Sequence, residues 1–364
     1  MKRMVILYGG RSGEHEVSLM SAASIVRHLD ASLFEAILVG ASREGDWYLQ
    51  PPSAAAEARA SEAPLSIARG PRVFAAPRRG LVAEAPGGAV ELPCDLVFPV
   101  LHGSFGEDGT IQGLLEVADL AYVGSGVLGS ALGMDKDRAK ALWAGAGLPV
   151  APWMAVGSEA LRDSGKLARE AGERFGWPCF VKPSGAGSSV GASKVTGPEA
   201  LEAALRLALE WDEKALIEPF VEAREIECSV LGNAEPIAFV PGEVVPSHEF
   251  YDYEAKYLDP EGARLEVPAR ISDEASARVR ELAVAAYRAC ELRGMARVDF
   301  FIDRRSGQVL LNEVNSIPGF THISMYPRMC EAGGLSYSGL ITRLAELALE
   351  RRAERESLRF MRPA

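Results

Sequence analysis

The stretch Met295–Thr321, MARVDFFIDRRSGQVLLNEVNSIPGFT, decides how the rest of the chain is read. Two runs rich in Val, Phe, Ile and Leu flank Arg304-Arg305-Ser306-Gly307, which predicts a β-hairpin. Arg297 and Asp299 stand two apart on the first run, and Glu313 and Asn315 two apart on the second. Side chains two apart share a face of a strand. A three-residue loop centred on Ser306, with Gly307 in the left-handed position, puts Asp299 opposite Glu313 and Arg297 opposite Asn315. Val298, Phe300, Leu311 and Val314 then line the opposite, core-facing side. An even loop or a bulge is expected to break that arrangement. Two carboxylates and an amide oxygen are hard donors suited to Mg²⁺, which shares its shell with water and nucleotide phosphates. The competing reading is a solvated strand face with ordinary ion pairs. It has to account for four such residues followed at once by the turn Ser316-Ile317-Pro318-Gly319.

Outward from the hairpin, 364 residues predict two or three domains. A net charge of −11 with interspersed signs argues against nucleic acid or an anionic membrane surface as the main partner. The opening MKRMVILYGG has too short an apolar run for a signal peptide core or a membrane span. Five scattered cysteines without CxxC spacing predict reduced core residues in a cytoplasmic protein, and five histidines show no zinc-ligand spacing.

Met4–Tyr8 predicts a buried strand, followed by the glycine-rich GGRSGEHEVS and an amphipathic helix to about Leu29, a doubly wound α/β opening. Glu16 is either an acid favoured by the helix dipole or a carboxylate for an ammonium group. The stretch from Pro51 to about Gly88 reads as irregular peripheral structure. Leu96–Leu101 is a continuous apolar strand that delivers HGSFGEDG to its carboxyl end, where open α/β sheets bind ligands. His102 there is a site residue or a hydrogen-bonded structural histidine. A helical stretch runs from about Leu128 to Ala146 and carries Lys136, and Pro149-Val150-Ala151-Pro152 marks a boundary.

Beyond it, Lys182 opens the loop KPSGAGSSVG, whose small residues let backbone N–H groups approach phosphate oxygens. It is not a P-loop, because GxxxxGK[ST] is absent. The strand ending at Glu218, followed by Pro219-Phe220-Val221, combines an acid, a backbone segment and an aromatic ring that together suit an adenine. Phe250–Tyr257 reads as a polar, aromatic lid or a surface loop with a tyrosine cluster. Helices follow at Asp273–Leu292, with Ser272 as N-cap, and from about Tyr337 to Arg352.

Taken together, the series GGRSGEHEVS, LHGSFGEDGTIQG, GSGVLGSALGMDKDRAK, VKPSGAGSSVG, LIEPF, FYDYEAKY, MARVDF and NEVNSIPGFTHISMYP resembles the D-alanine–D-alanine ligases of the ATP-grasp superfamily. The resemblance runs end to end apart from Pro51–Gly88. It implies an α/β, ATP-grasp fold behind an N-terminal doubly wound domain, in three units spanning 1–130, 131–225 and 226–364. By the same resemblance Lys136, Lys182 and Lys256 bind phosphate, and Ser188 lies on the phosphate loop. Glu218 and the backbone of Pro219, Phe220 and Val221 hold adenine, and Glu225 the ribose. Asp299, Glu313 and Asn315 hold two Mg²⁺ ions, with Mn²⁺ as a substitute. Glu16 holds the first alanine's ammonium, and Tyr257 bonds with Ser188 and Glu16. Arg297 and the Gly319 N–H stabilise an oxyanion, while Ser324 and Met325, with His102 nearby, surround the second alanine. The family often has Leu at Met325, where only the backbone is needed.

The implied activity is ATP-dependent formation of D-alanyl-D-alanine, for peptidoglycan precursors, through an acyl phosphate in a cytoplasmic homodimer. The alternatives are D-lactate or D-serine as the second substrate, or a catalytically silent nucleotide-binding module.

Overall fold

The computed structural model describes residues 1–246, 263–321 and 323–359. The expected lid Phe250–Tyr257, with Lys256 and Tyr257, and also His322, lie outside the described residues.

The first sheet has the order Trp47–Leu49, Phe34–Ala41, Lys2–Gly9, Leu96–Val100. Lys2–Gly9 pairs in parallel with both of its neighbours. Its residues alternate between two cores. Met4, Ile6 and Tyr8 pack with the helices His15–His28 and Tyr337–Glu356, whereas Val5 and Leu7 pack with Ile111 and Leu115 of the helix Thr110–Val117. Period-two side chains buried on both faces account for the unbroken apolar run. The carboxyl ends of these strands carry GGRSGEHEVS and HGSFGEDG.

Residues 51–88 are irregular only in part, chiefly over 61–72. Pro52–Ala60 is a helix whose Ala55 and Ala58 enter the core, and Val73–Ala76, Gly80–Ala85 and Gly88–Leu92 form an antiparallel meander. Alanine's high helix propensity holds the first, and burial of Val73, Leu81 and Ala83 anchors the second. The helical stretch 128–146 is two helices, Val127–Met134 and Lys136–Gly145. Asp135 breaks it by leaving helical geometry and accepting hydrogen bonds from the N–H groups of Asp137 and Arg138.

A second sheet, order Ser193–Val195, Cys179–Pro183, Lys214–Pro219, Met154–Gly157, is antiparallel throughout and carries the glycine-rich loop at one end. A third sheet holds the hairpin, in the order Ala263–Glu266, Gly242–Pro246, Ala223–Gly232, Gly294–Asp303, Val309–Asn315. Residues 130 and 225 fall inside the helix Val127–Met134 and the strand Ala223–Gly232. The helix Asp273–Ala289, capped by Ser272 as expected, covers one face of the third sheet through Val279, Leu282 and Ala286. Val298, Phe300, Leu311 and Val314 line that face and are buried.

The hairpin keeps the expected pairs Asp299–Glu313 and Arg297–Asn315 but reaches them differently. Asp303 N–H donates to the Gln308 carbonyl, so four residues, 304–307, form the loop, with Gly307 left-handed. Below Asp299 the pairing shifts to Phe300–Leu311, a β-bulge at Asn312. The even loop and the bulge cancel, and the polar residues share a face after all. The sequence carries the sign of it: Leu311 and Val314 are both apolar but three apart, which strict alternation cannot put on one face.

Candidate functional site

The open face of the third sheet carries charge in a row across three strands. Glu227 is the cross-strand neighbour of Asp299, and Asp299 of Glu313. Like charges directly opposite each other repel unless a cation stands between them. Arg297 supplies one: Nε and Nη2 each donate to Asp299 at 2.7 Å, and Nε lies 3.1 Å from Glu227 Oε2. Asn315 Nδ2 donates to Asp299 at 3.0 Å. Burial opposes the Arg297 charge, but Asp299 and Glu227 outweigh it and raise the guanidinium's pKa. The second cation is Lys136 on the neighbouring helix, 3.2 Å from Glu313 and donating to the Ala186 carbonyl of the glycine-rich loop at 2.7 Å.

Lys182 donates to Asn312 Oδ1 at 3.2 Å and pairs with Glu218 at 2.8 Å. The other Glu218 oxygen lies 3.0 Å from Lys140, which is fully buried. Burial opposes the Glu218 charge, yet the two lysines hold its carboxyl below its ordinary value. Burial, with help from the Lys182 charge, lowers the Lys140 pKa against the pull of Glu218. Beside this triad Phe220 stacks on Phe180, centroids 6.2 Å apart, and Lys194 stands over the Phe220 ring at 4.3 Å. Phe220 N–H donates to the Pro178 carbonyl. Pro219 ends the strand Lys214–Pro219 and Val221 follows Phe220. Glu225 is half-buried and, two positions before Glu227, shares the open face.

Ser188 and Ser189 hold left-handed backbone conformations, uncommon without glycine and a form of strain that clusters at ligand clamps. Ser188 Oγ donates to Glu14, whose carboxylate also lies against Gly103 and Gly187. A Cβ on Gly103 would stand 2.7 Å from Glu14 Oε2. Glu16, expected at this place, is exposed and pairs with Arg43. Two residues separate the two fates: His15–His28 begins after Glu14, so Glu14 faces the strand ends while Glu16, in the first turn, lies on the outer side.

His102 uses both ring nitrogens, on the Ile317 carbonyl at 2.9 Å and Ser21 Oγ at 3.1 Å, and burial lowers its pKa against the pull of Glu14. Beside it Glu107 accepts from Gly103 N–H and Ile317 N–H. Burial and the Glu14 charge push its carboxyl up to about 8 against those two donors. These bonds fix the turn that presents Gly319. A Cβ on Gly319 would lie 2.9 Å from Ser324 Oγ, which accepts from Thr321 N–H at 3.0 Å. The Met325 side chain is buried in the core against Gly242 and offers the site only backbone.

Three contacting groups, Arg297–Asp299–Asn315, Lys136–Glu313 and Lys182–Glu218, are therefore brought together along the hairpin, the last through Asn312, and Ser188 belongs to the loop whose Ala186 carbonyl Lys136 reaches. The sequence reading missed Glu14, Glu107, Lys140, Glu227 and Asn312. Two of these carried a signal: Lys140 is one helical turn from Lys136, and Glu227 is two along a strand from Glu225.

Residues 3–125 match the family profile described as D-ala D-ala ligase N-terminus, and residues 142–346 the one described as D-ala D-ala ligase C-terminus. A D-alanine--D-alanine ligase of Thermoanaerobacter sp. (strain X514) is 49% identical over 97% of this chain and 98% of its own. The solved D-alanine-D-alanine ligase of Coxiella burnetii superposes with a TM-score of 0.83 at 33% identity, over 98% of this chain and 97% of its own. The VanG D-Ala:D-Ser ligase of Enterococcus faecalis gives 0.82 at 36% identity, over 95% and 99%.

Proposed function

Because the chain belongs to the D-alanine–D-alanine ligase family, we propose that it joins two D-alanines to D-alanyl-D-alanine, forming ADP, for peptidoglycan precursors. One observation carries this reading beyond the family: Arg297, Asp299, Glu313 and Asn315 share one face, with Lys136 and Lys182 reaching over it. The family uses ATP and a divalent metal, and the donors present fit both. Among the described residues no three His, Cys, Asp or Glu cluster as a self-sufficient metal cage. Two carboxylates with an amide oxygen suit a cation that takes the rest of its shell from phosphate and water. Two Mg²⁺ ions, or Mn²⁺ in their place, complete the reading. When bound, a divalent cation supplies charge neutralisation at the transferring phosphoryl group.

The residues divide the remaining work. Lys136 and Lys182 hold phosphate oxygens together with the glycine-rich loop around Ser188, and Lys256 belongs to the same assignment. Glu218, with the backbone of Pro219 to Val221, holds the adenine, and Glu225 the ribose. The first D-alanine's carboxylate attacks the γ-phosphorus and ADP leaves. Glu14, in place of Glu16, holds that substrate's ammonium beside Ser188, and Tyr257 is assigned to bond with both. The second amine attacks the acyl carbon and phosphate departs. Arg297 and the Gly319 N–H hold the oxyanion, each donor contributing on the order of 10²–10³ in kcat. Ser324 and the Met325 backbone receive the second carboxylate, and His102 orients the turn behind them.

Three units support this arrangement, with joints near 130 and 225, the last at the start of the strand Ala223–Gly232. A cytoplasmic homodimer completes the proposal. Among the described residues no helix is long and apolar enough to cross a membrane.

The VanG neighbour keeps D-serine as the second reading, with D-lactate beside it. Product analysis with D-Ala, D-Ser and D-lactate competing near neutral pH decides the matter. D-Ala-D-Ala is expected to dominate, and a majority of mixed dipeptide or depsipeptide would overturn the assignment. Absence of D-Ala-dependent phosphate release at millimolar D-Ala with Mg²⁺ would instead favour a silent nucleotide-binding module.

A further inference from the structure

Asp299 is asked to do two things at once. Both of its oxygens accept hydrogen bonds from Arg297, and Asn315 adds a third bond to Oδ2. These are the same oxygens that a divalent cation would draw on, and a cation there repels the guanidinium. Beside the same Nε stands Glu227, 12% exposed, with Oε2 3.1 Å away. It is the cross-strand neighbour of Asp299 on the side away from Glu313.

We infer that Glu227 is a positioning residue that keeps Arg297 at the reaction centre when a divalent cation draws on Asp299. The inference rests on the proposed function. Three acids lie in a row: Glu313 pairs with Lys136, Asp299 bonds Arg297 with both oxygens, and Glu227, on the strand Ala223–Gly232, adds a second carboxylate beside the arginine at the end of the row away from that lysine. The middle and far acids thus serve the cation, and Glu227 retains the arginine by a charge pair that the cation does not contest. Without it, Arg297 would lean wholly on Asp299 and compete with the metal there. Supporting groups of this kind are worth about 10–100-fold in activity or metal affinity.

The test is a double-mutant cycle of Glu227→Gln with Arg297→Met, read by steady-state kinetics and by Mn²⁺ titration of the ADP-bound enzyme using electron paramagnetic resonance. Glu227→Gln is expected to lower kcat about tenfold, leave the KM for ATP within about twofold, and weaken Mn²⁺ binding at least about threefold. Both losses should largely vanish in the Arg297→Met background, because the residue acts through the arginine. Glu227→Asp, with the charge kept on a shorter stem, should fall between wild type and Glu227→Gln, and it carries the test if the glutamine variant does not fold. Wild-type kcat in Glu227→Gln would overturn the inference. So would losses of equal size with and without Arg297. If wild-type protein makes no dipeptide, the proposed function fails, while the Mn²⁺ cycle still decides the role of Glu227.

Discussion

Replacing Arg297 with alanine separates what this residue does for the fold from what it does for the reaction. Its guanidinium stands between Asp299 and Glu227, both 12% exposed, and is itself 22% exposed. Removing one partner of a buried ion pair costs about 3–5 kcal/mol, because the remaining charges stay desolvated. Partial exposure puts Arg297→Ala near the lower end, about 3 kcal/mol, which an ordinary total of roughly 5–15 kcal/mol can absorb. The two uncovered carboxylates then attract a cation more strongly. In EDTA the variant should therefore unfold at lower urea than wild type, and Mg²⁺ should restore more stability to the variant than it adds to the parent. Binding of Mg²⁺-ADP should persist, while dipeptide turnover falls on the order of 10²-fold or more for loss of one oxyanion donor. Urea unfolding followed by fluorescence, with and without Mg²⁺, reads the first effect, and coupled ADP release reads the second. Equal stability in EDTA, or unchanged turnover, would refute the reasoning.

Other expectations come from the same contacts. Lys140→Met leaves Glu218 on Lys182 alone and should raise the KM for ATP more than it lowers kcat, at a stability cost of about 3 kcal/mol or more; equal ATP binding by calorimetry would oppose it. Because the lysines depress the Glu218 pKa, its contribution is present above the ordinary carboxylate value and lost as pH falls through the folded one. Glu218→Gln should therefore flatten the loss of stability below about pH 4.5, seen in urea midpoints between pH 3 and 7. A Cβ on Gly106 would sit 2.1 Å from the Leu101 carbonyl oxygen, so Gly106→Ala should yield little soluble protein. Gly113→Ala, in the helix Thr110–Val117 with nothing nearer than 3.9 Å, should add about 0.5–1 kcal/mol by thermal unfolding.

The sequence was most legible where spacing has one geometric meaning. Polar residues two apart on adjoining strands named the open face, and the apolar run Met4–Tyr8 named a sheet covered on both sides. It was least legible where a neighbour distant in sequence decides. Glu14 and Glu16 look equivalent in GEHEV, and only the point where the helix begins turns one toward Ser188 and the other toward Arg43. Beyond its spacing from Lys136, Lys140 carries no mark of its own in the sequence, because its partner Glu218 arrives from a strand of the second sheet. Residues 51–88 looked shapeless because short strands and an alanine helix take their stability from packing on the first sheet, which local pattern does not show.

Regular alternation lets a strand offer a cavity only every second residue. The extra residue at Asn312 suspends that limit for one step, so Asn312 and Glu313 both serve the same chamber, one holding Lys182 and the other Lys136. A lysine from a strand of the second sheet and a lysine from a helix are thereby tied to consecutive positions of a single chain. Any shift of that ribbon would carry both phosphate-facing charges with it, so the spacing between them is kept by one short piece of backbone instead of by the packing of two domains.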